Sequence, residues 1–430
     1  MRPSFILLGA AALSMPLLAA AAQQSDQQTI SVSARPYAPA PSATATVTTL
    51  DEAIRLALTS NPTLRSATQS VAIADASKSQ AGLIANPELS VLREGMDRAN
   101  RTQTVQINQR LELGGKRSAR VDVAERERQV ALQDVAVAQA QLRADVTSAY
   151  FDALIAQERR ELARASVQVA EKATLVASKR VTAGRISPIE ESRSRVAEAG
   201  VRLELAQASS ELSLAKQRLG ALWGRTEAGQ LSLERPAGDV QALPPLDALR
   251  QQLEAGPQLR RAREQVEREE AQVRLERAQR VPDVTVTVGS QRDNQIGHNQ
   301  AVLGVSVPLP LFNRNQGNML AALRRTDKAR SDLDAERLRV SQALGEAYQR
   351  AQLAQQEIAS ITADILPVAQ TTYDAAVTGF EAGKFSFLDV LDAQRTLFQT
   401  RAQYLRALSD RYRSVADLGR YVQLRPDQSK

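Results

Sequence analysis

Cysteine is absent from the 430 residues, and histidine occurs once, at His298. Without cysteine there are no disulfides, no thiol chemistry and no lipid acceptor behind a signal sequence. A single histidine can build neither a His-rich zinc site nor a His-based catalytic triad. Aromatic residues make up only 3% of the chain, fewer than deep globular cores use. Beyond the N-terminal segment no stretch approaches about 18 apolar residues, which excludes a helical membrane span in the mature chain. Any crossing of a bilayer must therefore use strands. The net charge of +7 arises from basic and acidic residues that alternate along helical stretches, as on solvated faces. No basic cluster is interleaved with aromatics, so nucleic acid is not an expected partner. No constellation offers catalysis, a metal site or a cofactor site, and the expectation is a protein that is not an enzyme.

What is abundant is Ala, Leu, Gln, Glu and Arg, a mixture suited to long helices packed closely through small residues. Residues 1–22 carry Arg2, an apolar run from Phe5 to Leu18 and a small-residue end at Ala19 to Ala22. That is the pattern of a secretory signal peptide. Residues 23–48, rich in Ser, Thr, Ala and Pro without a period, read as a flexible leader. The fold is expected to begin at Thr49.

From there the chain repeats itself at a separation of about 195 to 199 residues. Asn61-Pro62-Thr63-Leu64 matches Gly256-Pro257-Gln258-Leu259, and Asn86-Pro87-Glu88-Leu89 matches Val281-Pro282-Asp283-Val284. Farther on, Ala183-Gly184-Arg185-Ile186-Ser187 matches Ala382-Gly383-Lys384-Phe385-Ser386, and Leu219-Gly220 matches Leu418-Gly419. The expected division is a first repeat at 49–235, a second at 236–423 and a C-terminal tail at 424–430.

Within each repeat the period changes. Val105, Ile107, Leu111 and Leu113 alternate with Thr104, Gln106, Asn108, Arg110 and Glu112, which predicts a strand with one wet face. Val284, Val286 and Val288 alternate likewise with Thr285 and Thr287, and Leu303, Val305, Val307 and Leu309 follow. Strands are expected at about 86–93, 104–113, 282–291 and 300–309, the length a tilted strand needs to cross a bilayer. Lys116 to Ala183 holds neither Gly nor Pro, which permits one continuous helix of roughly 100 Å. Leu132, Val135, Gln139, Leu142, Val146, Ala149, Ala153 and Ala156 keep a 3-4 spacing along it. Val340, Leu344, Ala347, Ala351, Ala354, Ile358, Ile361, Ile365 and Val368 repeat that spacing as a second, unbroken coiled-coil seam. Ser187-Pro188-Ile189-Glu190 is a capping box, and Ser386-Phe387-Leu388-Asp389 a similar signal. Gly184 and Gly383 end the preceding helices. Each repeat is thus a helix-strand-strand-helix unit, mainly α, with a long antiparallel helical hairpin opposite a strand hairpin.

Four strands cannot close a barrel in lipid, because open edges leave backbone groups unsatisfied. A threefold axis would collect four strands from each of three copies, twelve in all, around an aqueous lumen. A periplasmic coiled-coil scaffold, the alternative of another class, would have no need of the strand hairpins.

The duplicated plan, with Ala382-Gly383-Lys384-Phe385-Ser386-Phe387-Leu388-Asp389-Val390-Leu391-Asp392-Ala393-Gln394 after the second long helix, resembles the TolC family of outer-membrane efflux proteins from Thr49 to Gln423. Leu111-Glu112-Leu113-Gly114-Gly115-Lys116-Arg117 and Val307-Pro308-Leu309-Pro310-Leu311-Phe312-Asn313-Arg314-Asn315-Gln316-Gly317 are similar to its cobalt-zinc-cadmium resistance (CzcC-type) branch. The resemblance implies a homotrimeric duct in the outer-membrane lipid with a helical tube reaching into the periplasm. It also implies a periplasmic adaptor and an inner-membrane resistance-nodulation-division pump as partners, and heavy-metal cations as cargo. Multidrug efflux or protein secretion is the alternative cargo, since fold does not fix what passes.

In the family, acidic side chains near the second helical tip constrict the periplasmic entrance. Asp374 matches one of them relative to the Ala382-Gly383 turn, and Glu381 lies closer to it. Lys179 and Arg180 near the first tip are the cationic counterparts, and Gly184, Arg185, Ser187, Gly383, Lys384 and Ser386 are the expected adaptor-contact tips. Gly114-Gly115-Lys116-Arg117 lacks P-loop spacing and reads as a strand-to-helix turn. His298 has only Asp293 near it in sequence and is not expected to ligate metal.

Overall fold

A computed structural model describes residues 47–95, 97, 101–225, 231–234, 243–382, 384–385 and 387–422. The signal segment 1–22, the leader up to residue 46 and the tail 424–430 lie outside the described residues. The last two residues assigned to the leader are not free: β1 (Val47–Thr48) pairs in parallel with β4 (Ser232–Leu233).

The first repeat runs α1 (Leu50–Ser60), α2 (Pro62–Ala81), β2 (Glu88–Glu94), β3 (Thr102–Leu111), α3 (Lys116–Thr182) and α4 (Pro188–Ala221). The second runs α5 (Leu246–Gln252), α6 (Pro257–Ala278), β5 (Val284–Asp293), β6 (Asn299–Ser306), α7 (Gln316–Ser360), α8 (Leu366–Glu381) and α9 (Phe387–Tyr421). The order of elements is the same in both once α7 and α8, continuous through residues Ile361–Ile365, are taken as one helix, and strand boundaries fall within a few residues of those expected. The uninterrupted helix from Lys116 ends at Thr182, one residue short of the expected Ala183.

The strands form one antiparallel sheet in the order β2-β3-β5-β6. Its register aligns Leu89 with Ile107, Ile107 with Val288 and Val288 with Leu303. Val91, Val105, Val286 and Val305 fall on that same face, while Thr104, Gln106, Asn108, Thr285 and Thr287 share the other. On the polar face Thr287 donates to Asn108 Oδ1 at 2.7 Å. Gly289 is required where β3 and β5 meet, since a Cβ there would stand 2.5 Å from the Val105 carbonyl oxygen.

Glycine or asparagine turns the chain from sheet to helix. Gly114 and Gly115 have φ of 70° and 73°, and Asn315, the only non-glycine described with positive φ, has 59°. Gly115 and Asn315 occupy the N-cap positions of α3 and α7. These glycines serve the turn, as the missing P-loop spacing implied.

Three clusters form the core among the described residues, the smallest being Ala376, Val390 and Ala393 between α8 and α9. Of the larger two, one gathers Ala53, Leu142, Val146, Phe151, Leu212, Leu219 and Trp223 from the first repeat, and the other Leu249, Leu259, Val340, Leu344, Ala347 and Leu418 from the second. Phe151 stacks on Tyr412 with ring centroids 4.2 Å apart, which joins α3 to α9. The repeats close the same junction by different chemistry. Asn61 caps α2 by accepting from the Leu64 N–H at 2.9 Å and donates to the Leu222 carbonyl at 2.7 Å. In the second repeat Gly256 takes this place, and a Cβ there would meet the Tyr421 carbonyl oxygen at 2.1 Å.

The second seam departs from expectation. Val340, Leu344, Ala347, Ala351, Ala354 and Ile361 are buried, but Ile365 is 45% and Val368 64% exposed. Residues Ile361–Ile365 form a π turn. Pro367 follows and removes a backbone donor that an α-helix would need. The turn absorbs one extra residue, so burial resumes one position later, at Ala369 and Ala376. In the first seam Gln139 is exposed while Leu142, Val146, Ala153 and Ala156 are buried.

Tyr150, fully buried on α3, donates its hydroxyl to the Glu234 carbonyl at 2.5 Å, anchoring the segment that carries β4. Burial pushes its phenol up to about 12. A raised folded value favours the folded state below the unfolded value near 10, and the advantage is lost as pH climbs from about 10 to about 12. Tyr150→Phe is expected to lose about 1–3 kcal/mol at neutral pH and to show a smaller loss of stability than wild type across that alkaline window. Denaturant unfolding followed by circular dichroism at both pH values measures this.

Candidate functional site

The ends of the helical hairpins, opposite the sheet, carry the expected site residues. At the first tip the Gly184 N–H bonds the Val181 carbonyl at 2.9 Å and the Arg185 N–H bonds the Arg180 carbonyl at 2.9 Å. With Gly184 at φ 66° this is a Schellman ending of α3. Nothing lies within 4 Å of a Cβ at Gly184, so backbone conformation alone selects glycine. Ser187 caps α4 by accepting from the Ile189 N–H at 3.3 Å. The reciprocal half of the capping box does not form, because the Glu190 carboxylate accepts instead from Arg193 at 3.0 Å. Arg185 is exposed.

At the second tip the Lys384 N–H bonds the Gly379 carbonyl at 2.8 Å, the position that corresponds to the Arg185–Arg180 bond of the first tip, in the same 6→1 pattern. Gly383 and Ser386 lie outside the described residues. Lys384 is exposed. Phe385 folds back so that its ring fills the place of a side chain at Gly379, where a Cβ would stand 2.1 Å from the ring. The Arg180 guanidinium lies 5.6 Å from the centre of the Phe380 ring, tying the tips together by a cation-π contact. Gly379, Phe380 and Phe385 were not legible as site residues, since a glycine inside a helix signals a close approach without saying what approaches.

Asp374 is exposed on α8 and accepts from Gln370 Nε2 at 2.9 Å, and Gln370 Oε1 accepts from Arg401 on α9 at 2.9 Å. Burial, and then the Asp374 charge beside it, raises the Tyr373 phenol above its ordinary value. The fold does not bring Lys179 or Arg180 to Asp374 within one chain: among the described residues Asp374 has no ion pair, and Arg180 is engaged at Phe380. Glu381 is the last residue of α8, with its side chain outside the described set. Beside Asp374, a groove between α8 and α9 is lined by Asp364, Asp389 and Asp392 with Ile365, Val368 and Phe385. These three carboxylates make the groove itself acidic.

Among the described residues no three His, Cys, Asp or Glu side chains are placed to hold a metal ion. His298 is exposed in the β5–β6 turn, where Asp293 is occupied in accepting from the Gln295 N–H at 2.8 Å. Among the described residues no helix is long and apolar enough to cross a membrane.

The sheet has an apolar face, two open edges and helices leaving one end only. A match to known sequences decides what that arrangement is: residues 53–225 and 248–422 each fit the outer membrane efflux protein family. The chain belongs to that family. Its two matched segments are the two structural repeats. The cobalt-zinc-cadmium resistance protein CzcC of Cupriavidus metallidurans is 41% identical over 377 residues, covering 87% of this chain and 90% of that protein. Two solved structures share the fold. The Campylobacter jejuni CmeC outer membrane channel has a TM-score of 0.73 at 14% identity, covering 87% of each chain. The Vibrio cholerae outer membrane protein VceC has 0.69 at 22% identity, covering 86% of this chain and 94% of that one. As in this efflux family, the sheet lies in the outer membrane and the long helices extend into the periplasm.

Two substitutions separate the roles of the tip glycines. Gly379→Ala should expel the Phe385 ring rather than unfold α8, because the ring can move and the helix need not. Gly184→Val should strain the turn by about 1–2 kcal/mol, since it forces a β-branched residue to positive φ. Both are expected to leave the protein assembled in the outer membrane while lowering efflux, measured as resistance of the producing strain against membrane-extracted protein.

Proposed function

We propose that this protein is the outer-membrane channel subunit of a tripartite efflux system that exports heavy-metal cations of the cobalt, zinc and cadmium type. The observation carrying the cargo is the 41% identity to a cobalt-zinc-cadmium resistance protein over nearly the full length of both chains. The protein works as a homotrimer, with a periplasmic adaptor at the tips and an inner-membrane resistance-nodulation-division pump behind it. It is a conduit without chemistry of its own.

Two features support the trimer. The outer edges of β2 and β6 have no partner among the described residues, and each needs one in lipid. Along α4, Ile189, Val196 and Leu203 are 62%, 73% and 61% exposed at a spacing of seven, a seam without a helix in this chain. Arg185 and Lys384, exposed at adjoining tips, suit an adaptor that presents carboxylates or backbone carbonyls. Around a threefold axis, Asp374 and Glu381 narrow the periplasmic entrance. There the pairing of Asp374 with Lys179 or Arg180 takes place between copies rather than within one.

Repelling carboxylates gathered about the axis attract cations and resist closure unless neutralised. Asp374→Ala should reduce cation preference and block by divalent ions in planar bilayers, with trimer stability changed by no more than about 0.5 kcal/mol. Unchanged conductance and selectivity would place Asp374 on the outer face. A deletion strain should become sensitive to cobalt, zinc and cadmium before it becomes sensitive to drugs; the reverse order would assign a different cargo.

A further inference from the structure

The repeats differ in one conspicuous place, the link from the second strand of each hairpin to its long helix. In the first repeat four residues, 112–115, join β3 to α3, whereas nine residues, 307–315, join β6 to α7. The longer link is apolar and uncovered. Leu309 is 76%, Leu311 65% and Phe312 90% exposed, the last being the highest value among the large hydrophobic side chains described. In sequence it continues the odd-numbered series of the membrane-facing side of β6, where Leu303 is 78% and Val305 71% exposed.

Its backbone is suited to a medium poor in water. Pro308 and Pro310 carry no N–H, and the Leu311 N–H bonds the Leu309 carbonyl at 2.9 Å. Gln316 accepts from the Arg314 N–H at 2.8 Å and donates to the Phe312 carbonyl at 3.3 Å, and the Asn315 N–H donates to Asn313 Oδ1 at 3.0 Å. In a low-dielectric layer each unsatisfied group is costly, so two prolines without an N–H and the bonds made within the link lower its cost there. The adjoining cleft is lined by Arg110 and Lys116, which both pair with Asp283, and by Arg280 and Arg314, which have no ion pair among the described residues. Arg280 and Arg314 are thus the cations left over at the helix end of the sheet, suited to lipid phosphates.

We infer that the Val307–Asn315 link is a membrane anchor that inserts Leu309, Leu311 and Phe312 into the periplasmic leaflet of the outer membrane, with Arg280 and Arg314 facing phospholipid headgroups. The occupant is lipid because the patch is continuous with the lipid-facing side of β6 and ends in cations. An aromatic residue at the rim of a barrel holds its depth in the bilayer.

The inference rests on the sheet lying in the outer membrane, and the experiment tests the two separately. Full-length protein carrying Phe312→Trp, Leu309→Trp or Leu303→Trp is reconstituted in vesicles of phosphatidylethanolamine and phosphatidylglycerol with brominated acyl chains. Emission of the wild type, from buried Trp223, is subtracted. Leu303→Trp should be quenched from deep in the acyl layer, and Phe312→Trp and Leu309→Trp from bromines near the headgroups, with blue-shifted emission and no quenching by acrylamide. Quenching at 303 alone overturns the anchor: access of acrylamide to 309 and 312 then places the link in water, and protection from it places the link against a second copy of the chain. Absence of quenching at all three positions overturns the membrane placement of the sheet and the anchor with it.

Discussion

Open edges on a sheet in lipid are the constraint from which the remaining architecture follows. The sheet gathers Leu89, Val91, Val105, Ile107, Val286, Val288, Leu303 and Val305 on one face, and among the described residues its outer strands have edge hydrogen-bonding groups without a partner, which lipid cannot supply. Only further strands can satisfy them in lipid, which is the physical reason behind the proposed trimer. Because β3 pairs with β5 over their whole length, the two repeats are bound to one another at the membrane, and their helices must leave the sheet side by side. Lys116 reinforces this where α3 begins, bridging to Asp283 of the other repeat at 2.5 Å.

Duplication sets the plan, and each repeat then solves its local problems with its own residues. Where the first uses the side chain of Asn61 to reach Leu222, the second removes the side chain altogether and lets Tyr421 approach Gly256. Where the first turns on Gly115, the second turns on Asn315, whose amide donates to the Glu276 carboxylate at 2.6 Å. A polar side chain that reaches across a junction and a glycine that admits the neighbouring backbone are alternative ways to close the same gap.

Much of this was legible from residue order. Alternation in β3 and β5 revealed which side chains share a face, since a period of two leaves no choice once a register is set. The absence of Gly and Pro after Lys116 revealed a helix of 67 residues. What remained hidden depends on single contacts between distant segments. The 3-4 pattern through Ile365 and Val368 persisted in the sequence although the helix had already shifted phase at Ile361–Ile365. Only Pro367, inside an otherwise helical stretch, hinted at it. At the tips the charged residues stood out, whereas the Phe385 ring seated on Gly379 did not, because packing of a side chain against a missing one leaves no periodic trace.

The π turn has a consequence for how this helix tolerates changes in length. Such a turn holds one residue more than an α-helix needs, and above it Leu344 to Ala354 interlock in one phase while below it Ala369 and Ala376 interlock in the next. Ile365 and Val368 are the side chains stranded between the phases. Removing one residue between 361 and 365 would bring the two seams into one phase with both still facing their partners, leaving a local bend at Pro367, whereas the same deletion in the middle of α3 would swing every later side chain by about 100°. The surplus residue makes this short span the place where the long helix can gain or lose length without losing its grip on either neighbour.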